Sequence, residues 1–508
     1  MKCLHVSSRT CTVLLDPDGM YEARREAVLT LNGKEYGREN RSVATLFGLW
    51  PDTEYVLRAK TEENEPTEIR FRTLKESVTL NVRSFGAMGD GVHDDTSAIQ
   101  AAILCCPAEG RVLIPEGRYR AGPLFLKSHM TLEIQKNAVL LLKTDRSLFP
   151  ILPGVTRTTD EKGEYLLGAW EGNPLDCFAA AINGIEVEDV RLIGEGVIDG
   201  CAQEGDWWVR PKEMRLAYRG RLLFLERCRH ITVAGLTFRN SPSWNLHPYF
   251  SRDLDFFNVR IQAPANSPNT DGFDPESCRD IRLYGTVFSV GDDCIAIKSG
   301  KIYLGMKYHA PCENIEIAWC AMLEGHGGVT VGSEMSGGVM NVRVHHCFMR
   351  GNDRGLRVKT RRGRGKYAVV DGIRFENVRM QNVKAPLVIN SMYYCDPDGK
   401  TEYVQSREKQ PVDDTTPTVG SIVFESITAE GCTACVGYVL GLPERPVKSL
   451  TVKDSVFSFA ESGEGMAPAM ADRVEICARR GLIVRNVENL SVENVRMTGI
   501  VGPEVERH

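Results

Sequence analysis

The sequence predicts an all-β protein, a long parallel β-helix preceded by a small β-sandwich. Three observations predict it. A short apolar-x-apolar strand recurs from Val190 to Val492. Small or semi-apolar residues, cysteine among them, recur at fixed offsets from those strands. The first 76 residues alternate differently, between turn signals. A chain of 508 residues exceeds one ordinary core, and the change in pattern divides it into 1–76 and 77–508. With 42% hydrophobic and 25% charged residues the composition is that of a globular protein. A net charge of -5 gives no basic footprint for nucleic acid. No apolar run approaches the ~20 residues of a membrane span.

The amino-terminal stretch MKCLHVSSRTCTVLL breaks its apolar run with His5, Ser7, Ser8, Arg9 and Thr10, and offers no small-residue cleavage site. The expectation is a cytoplasmic protein whose sixteen cysteines are reduced and packed. The Cys432–Cys435 pair has no second pair at zinc-finger spacing and reads as packing. Within 1–76, segments at Thr12–Leu15 and Ala27–Leu31 are separated by Asp16-Pro17-Asp18-Gly19 and Asn32-Gly33. The Leu49-x-Pro51-x-Thr53-x-Tyr55 spacing resembles the tyrosine corner of fibronectin type III domains, which implies a seven-strand sandwich. It carries no catalytic cluster, so a spacer or folding cap is expected.

The larger domain opens with Asp94-Asp95-Thr96, capping residues ahead of an amphipathic run to Leu104. That helix would cover the open end of a solenoid. The strands follow at Val190, Ile231, Leu254, Ile281, Ile315, Val342, Ile373, Ile422, Leu450 and Leu490, each counted at its first apolar residue. A β unit repeating at this interval, broken only by loops, is a solenoid. Cys228, Cys278 and Cys312 sit three residues before their strands, Cys320 and Cys347 three after. Such residues stack on their counterparts when rungs lie ~4.8 Å apart.

Four polar clusters fall on successive repeats: Asn269-Thr270-Asp271-Gly272, Gly291-Asp292-Asp293-Cys294, Gly325-His326-Gly327-Gly328 and Arg357-Val358-Lys359. Their offsets from the strands are unequal, so loops must absorb the difference if the clusters share one face. Three converging carboxyls repel one another, which raises at least one pKa and leaves an acid beside ionised partners. That is the equipment of glycoside hydrolysis, an acid for the leaving oxygen and a base for water. Arg357 and Lys359, two apart on a strand, point the same way and suit an anionic substrate.

In this order, the clusters resemble the polygalacturonases, glycoside hydrolase family 28. The segment Phe85-Gly86-Ala87-Met88-Gly89-Asp90-Gly91 also resembles the entry of pectin-degrading β-helices. The resemblance implies a right-handed β-helix that hydrolyses α-1,4-galacturonosyl links with inversion and needs no cofactor or metal. It implies Asp292 as general acid, with Asp271 and Asp293 activating water and His326 supporting the acid. It implies Arg357 and Lys359 as a grip on the substrate carboxylate, Asn269 as orienting the first carboxylate, and Tyr393 as a substrate contact. Segments 332–338 and 351–357 look like the bacterial exo-acting members. Long loops at 155–180 and 201–220 would turn a groove into a pocket that takes a chain end, here the non-reducing one.

Other readings weigh against these. Asp292-Asp293 could hold calcium, but His326 and Arg357 on adjoining coils argue otherwise. The basic run from Arg357 to Lys366 reads as site in its first half and cleft mouth in its second. Trp207 and Trp208 suit sugar stacking or loop packing equally, and His247 stands near the groove without an assigned role. The expected partner is an acidic polysaccharide or oligogalacturonide; oligomeric state is unreadable from one chain. Rival functions are an endo-polygalacturonase, a rhamnogalacturonan or xylogalacturonan hydrolase, a calcium-dependent pectate lyase, and a non-catalytic polyanion-binding solenoid.

Overall fold

The computed structural model describes residues 1–63, 65–157 and 164–508; the stretch 158–163 of the expected 155–180 wall lies outside them. Strand pairing carries the ten repeats in one unbroken register. Val190 pairs with Ile231, and the series runs through Leu254, Ile281, Ile315, Val342, Ile373, Ile422 and Leu450 to Leu490. β-Branched and aromatic side chains at alternate positions face inward because each coil must bury them on its neighbours. The result is a 23-stranded, largely parallel sheet, the long face of a right-handed β-helix.

Three coils precede the repeats found in the sequence. Leu80 pairs with Val112, Val112 with Leu132 and Leu132 with Leu192. The helix Thr96–Cys105 buries Ile99, Ala102 and Ile103 against this first part of the core. It begins directly after Asp95, its N-cap, but the Asp95 side chain makes no cap bond. Asp94 Oδ1 accepts the Thr96 N–H at 3.1 Å, whereas Asp95 accepts N–H groups of Met88 and Gly89 at 2.6 and 3.1 Å.

In the first six of these repeats the residue just before the first apolar position adopts a left-handed conformation. Asp189, His230, Asp253, Asp280, Asn314 and Asn341 all have φ between 53° and 59°. Asp and Asn tolerate this region best among residues with a Cβ, which explains why short polar residues recur there. On the inner side, Cys228, Ser251 and Cys278 bond one to the next: Cys228 N–H to Ser251 Oγ at 2.8 Å, Ser251 N–H to Cys278 Sγ at 3.3 Å. All sixteen cysteines are unpaired thiols.

Residues 2–72 form two antiparallel sheets of three and four strands. Asn32 and Gly33, at φ 50° and 80°, make the tight turn between Glu22–Leu31 and Lys34–Arg41. Tyr55 Oη accepts the Trp50 N–H at 2.8 Å. Leu14 and Val43 pack on Ile193, Ala234, Phe257 and Tyr284 of the long sheet. Thr45 and Val43 also bond the Asn258 side chain at 2.7 and 2.8 Å. The site residues lie on a different sheet. Its seven strands include Ile295–Ile297, Gly327–Val331, Arg354–Lys359 and Ala385–Asn390.

Candidate active site

That second sheet aligns the four clusters. Phe273 pairs with Ile295, Ile295 with Val329 and Val329 with Leu356. The segments around Asp271, Asp292-Asp293 and His326 therefore enter their strands at one level, and turns between the sheets absorb their unequal offsets. Backbone bonds lock the levels: Gly272 N–H to Asp293 O at 3.0 Å, His326 N–H to Asp292 O at 2.9 Å. Two glycines are needed for this closeness. A Cβ on Gly272 would stand 2.4 Å from Cys294 O, and one on Gly327 would stand 2.7 Å from Asp293 Oδ1.

Asp271, Asp292 and Asp293 bring carboxylate oxygens within 4.8 Å of one another. Their surroundings differ sharply. Burial and then the charge of Asp292 push the Asp271 carboxyl well above its ordinary range, and its Oδ1 has no hydrogen-bond partner among the described residues. Burial would raise Asp293 too. Instead Lys359 at 3.0 Å and Arg357 at 3.5 Å hold it below the usual carboxylate range. Asp292 is the partly open member, its side chain 25% exposed. His326 Nδ1 lies 3.3 Å from Asp292 Oδ1, and that contact raises the imidazole above its ordinary value. The set is thus graded: burial favours the protonated form at its Asp271 end, and the two cations favour the charged form of Asp293.

Arg357 and Lys359 do share one side of their strand, and their common neighbour is Asp293. Their charges favour the ionised form of that carboxyl. Tyr393 lies beside both, its ring 5.8 and 5.5 Å from the two cations. Among the described residues Asn269 makes no hydrogen bond to Asp271, Asp292 or Asp293; its Oδ1 accepts from Arg219 Nη2 at 2.6 Å. Arg362 and Arg364, in the second half of the basic run, do not form a cleft mouth: both are buried, as is Arg361, and only Lys366 is open, paired with Asp414. Arg361 grips Asp398 at 2.8 Å, Arg364 reaches Asp396 at 3.0 Å, and Arg362 forks onto Glu444 at 2.6 and 2.8 Å. These guanidinium groups brace loops whose carboxylates are distant in sequence. Trp207 is packing: fully buried against Phe149 and Phe178, with the Arg146 guanidinium 4.2 Å from its ring. Trp208 Nε1–H is spent on Ser241 O.

Sequence reasoning missed a buried ionic floor. Lys298 Nζ sits 3.4 Å from Asp274, 3.7 Å from Glu334 and 4.3 Å from the Trp244 ring. Burial works against its charge, but Glu334, Asp274 and Asp271 raise its pKa well above normal. Glu334, despite burial, is held at about 2 by Lys298 and Lys359. His247 belongs to this floor, its Nε2 3.0 Å from Glu276. One signal was available: in Ile295-Ala296-Ile297-Lys298 the alternation turns the lysine outward beside Asp293.

Both flanks of this face are covered. Towards the amino-terminal coils, Phe224 and Tyr249 lie under Leu152, Leu166, Ala169 and Leu304. Towards the carboxyl-terminal coils, Val388 and Tyr438 lie under Met392, Ala469 and Ala471. Between the two covers His326 remains 54% exposed beside Asp292. The arrangement is a solenoid carboxylate site, open over a short stretch and built with cations for a negatively charged ligand.

The chain belongs to the glycosyl hydrolases family 28, whose model matches residues 130–462, and it is a glycoside hydrolase. Residues 79–133 match the rhamnogalacturonase A/epimerase, pectate lyase-like model, in line with the entry segment. A "Probable polygalacturonase" of Vitis vinifera is 35% identical, the match covering 59% of this chain and 60% of that one. An "Endo-polygalacturonase" of Pectobacterium carotovorum is 30% identical over 59% of this chain and 72% of its own length. The crystal structure of a hyperthermoactive exopolygalacturonase from Thermotoga maritima superposes with a TM-score of 0.66 at 26% identity. That likeness covers 83% of this chain and 92% of the other.

Proposed function

We propose that the protein is an exo-acting polygalacturonase that removes galacturonate from the non-reducing end of polygalacturonate or its oligomers. The observation that carries the exo reading is the cover on the amino-terminal flank of the carboxylate face. A site shut at either side admits a chain terminus, whereas an endo enzyme needs a groove open at both ends. The names of the relatives support a pectic substrate.

Asp292, partly open and backed by His326, protonates the leaving oxygen. Asp271 and Asp293 hold a water against the anomeric carbon and take up its proton. For this the shared proton of the set must lie on Asp292, with Asp271 and Asp293 ionised, as the glycosidic oxygen arrives. Arg357 and Lys359 grip a galacturonate carboxylate while keeping Asp293 ionised, and Tyr393 packs beside that sugar. The oxygens within 4.8 Å stand closer than the ~6.5–9.5 Å usual for inverting carboxyl pairs. Inversion is therefore proposed on the family resemblance, and proton NMR of the first-formed anomer tests it. The unpaired thiols suit a reducing cytoplasm, where imported oligogalacturonides are the substrate.

The test is a time course on polygalacturonate with and without chelator, following products by chromatography together with viscosity. Early monomer with little fall in viscosity is expected, and it is insensitive to chelator. A rapid fall with mixed oligomers would establish the second reading, an endo enzyme, which the Pectobacterium relative's name favours. Loss of activity with chelator and an unsaturated product would mean a lyase.

A further inference from the structure

One wall of the site ends in a tight turn that the acid–base chemistry leaves unused. Trp170 and Asn173 exchange both backbone hydrogen bonds, at 2.9 and 3.0 Å. The two residues between them, Glu171 and Gly172, both have left-handed φ, 46° and 76°. For glutamate that conformation is strained, so the surroundings must hold it. They do so from two sides. On one, Lys301 N–H donates to Gly172 O at 2.8 Å, and a Cβ on Gly172 would stand 2.7 Å from the Glu334 side chain. On the other, the Trp170 ring stacks on Tyr218 and Trp244. The Arg219 guanidinium lies 5.2 Å from the same ring while bonding Asn269 at 2.6 Å. The turn is thus wedged between the Asn269–Asp271 segment and the Glu334–Lys301 edge of the floor.

At its tip the Glu171 carboxylate is only half-buried and makes no hydrogen bond or ion pair with the described residues. Burial, and next the charge of Glu334, push its pKa up, as expected of a carboxylate short of donors. The direction of the chain follows from the proposed mechanism. The water-activating groups must face the anomeric carbon of the terminal sugar, and Asp271 is the one on the turn's side. That sugar therefore lies between the catalytic carboxylates and the turn, and its far end, carbon 4, points at Glu171.

We propose that Glu171 is the chain-end reader: its carboxylate accepts a hydrogen bond from the free 4-hydroxyl of a non-reducing terminus and leaves no room for a further sugar there. This rests on the exo-polygalacturonase reading above. The test compares kcat/KM of the wild type, Glu171→Gln and Glu171→Ala on trigalacturonate and on the same trimer lacking the terminal 4-hydroxyl. A hydrogen bond to a charged acceptor predicts that the wild type favours the natural trimer by roughly 10- to 100-fold. Glu171→Ala should lose that preference almost entirely, through the natural trimer alone. Glu171→Gln, which keeps an acceptor and the side-chain shape, should lose part of it. Undiminished discrimination in both variants, or none in the wild type, overturns the reader while leaving the hydrolase reading intact. No hydrolysis of either trimer by the wild type overturns both.

Discussion

Lys359→Met removes a charge from the centre of the site without changing its bulk much. Lys359 Nζ and Asp293 Oδ2 are 3.0 Å apart, and both residues are buried. At an effective dielectric of about 20, unit charges this close attract by about 5.5 kcal/mol. At about 1.36 kcal/mol per unit that corresponds to roughly four pKa units on Asp293. Arg357, 3.5 Å from the other oxygen, remains in the variant, and water enters the vacated space, so a net rise of about two to three units is expected. Asp293 must be ionised to take a proton from water, and its activity is lost as pH falls through its pKa. Raising that pKa moves the acid limb of kcat/KM towards neutrality and leaves the alkaline limb in place. The assay is kcat and KM on trigalacturonate across about pH 3–8. An acid limb that stays put while KM alone rises would refute the argument, because Lys359 would then serve only the substrate.

Asp292→Asn should lower kcat by about 10²–10⁴, and near-full turnover would remove Asp292 from the acid role. His326, raised by its contact with Asp292, should titrate above about 6.5 by NMR and fall back in Asp292→Asn. Because a raised histidine gives its charge up as pH climbs, His326→Ala should flatten the alkaline limb; an unchanged limb would make the residue a bystander. Arg362→Ala strands the nearly buried Glu444 carboxylate, which should cost about 3–5 kcal/mol in a urea melt. A change below about 1 kcal/mol would mean that the paired loops contribute little.

The repeats were legible because each coil meets the same demand. An inward residue on either side of an outward one must cover its neighbour, so Ile-x-Ile patterns from Ile231 to Leu490 line up without adjustment. The first three coils went unread because 56 residues separate Ile134 from Val190 in the chain, although Leu132 pairs directly with Leu192. The carboxylates and His326 were legible because their motifs are local. The walls were not, since they join distant segments: Trp170, Tyr218 and Trp244 form one stack with no shared motif. Arg361, Arg362 and Arg364 were misread for the same reason. A run of cations looks solvated until Asp396, Asp398 and Glu444 come back across the fold to meet it.

The division of the site over successive coils also limits how such a protein can change. Asp271, the Asp292-Asp293 pair, His326 and Arg357 each ride a different turn of the solenoid, so their separations come in increments of ~4.8 Å. Adding or deleting a turn among them would shift one of these groups by a whole increment and, on the proposed mechanism, end the chemistry at once. Turns on either side are free of that restriction, as are the loops that rise between sheets. Natural variation, and protein engineering after it, has a fixed die at the centre and interchangeable jaws around it. New substrates are reached by recutting segments such as Trp170–Asn173, not by moving the aspartates.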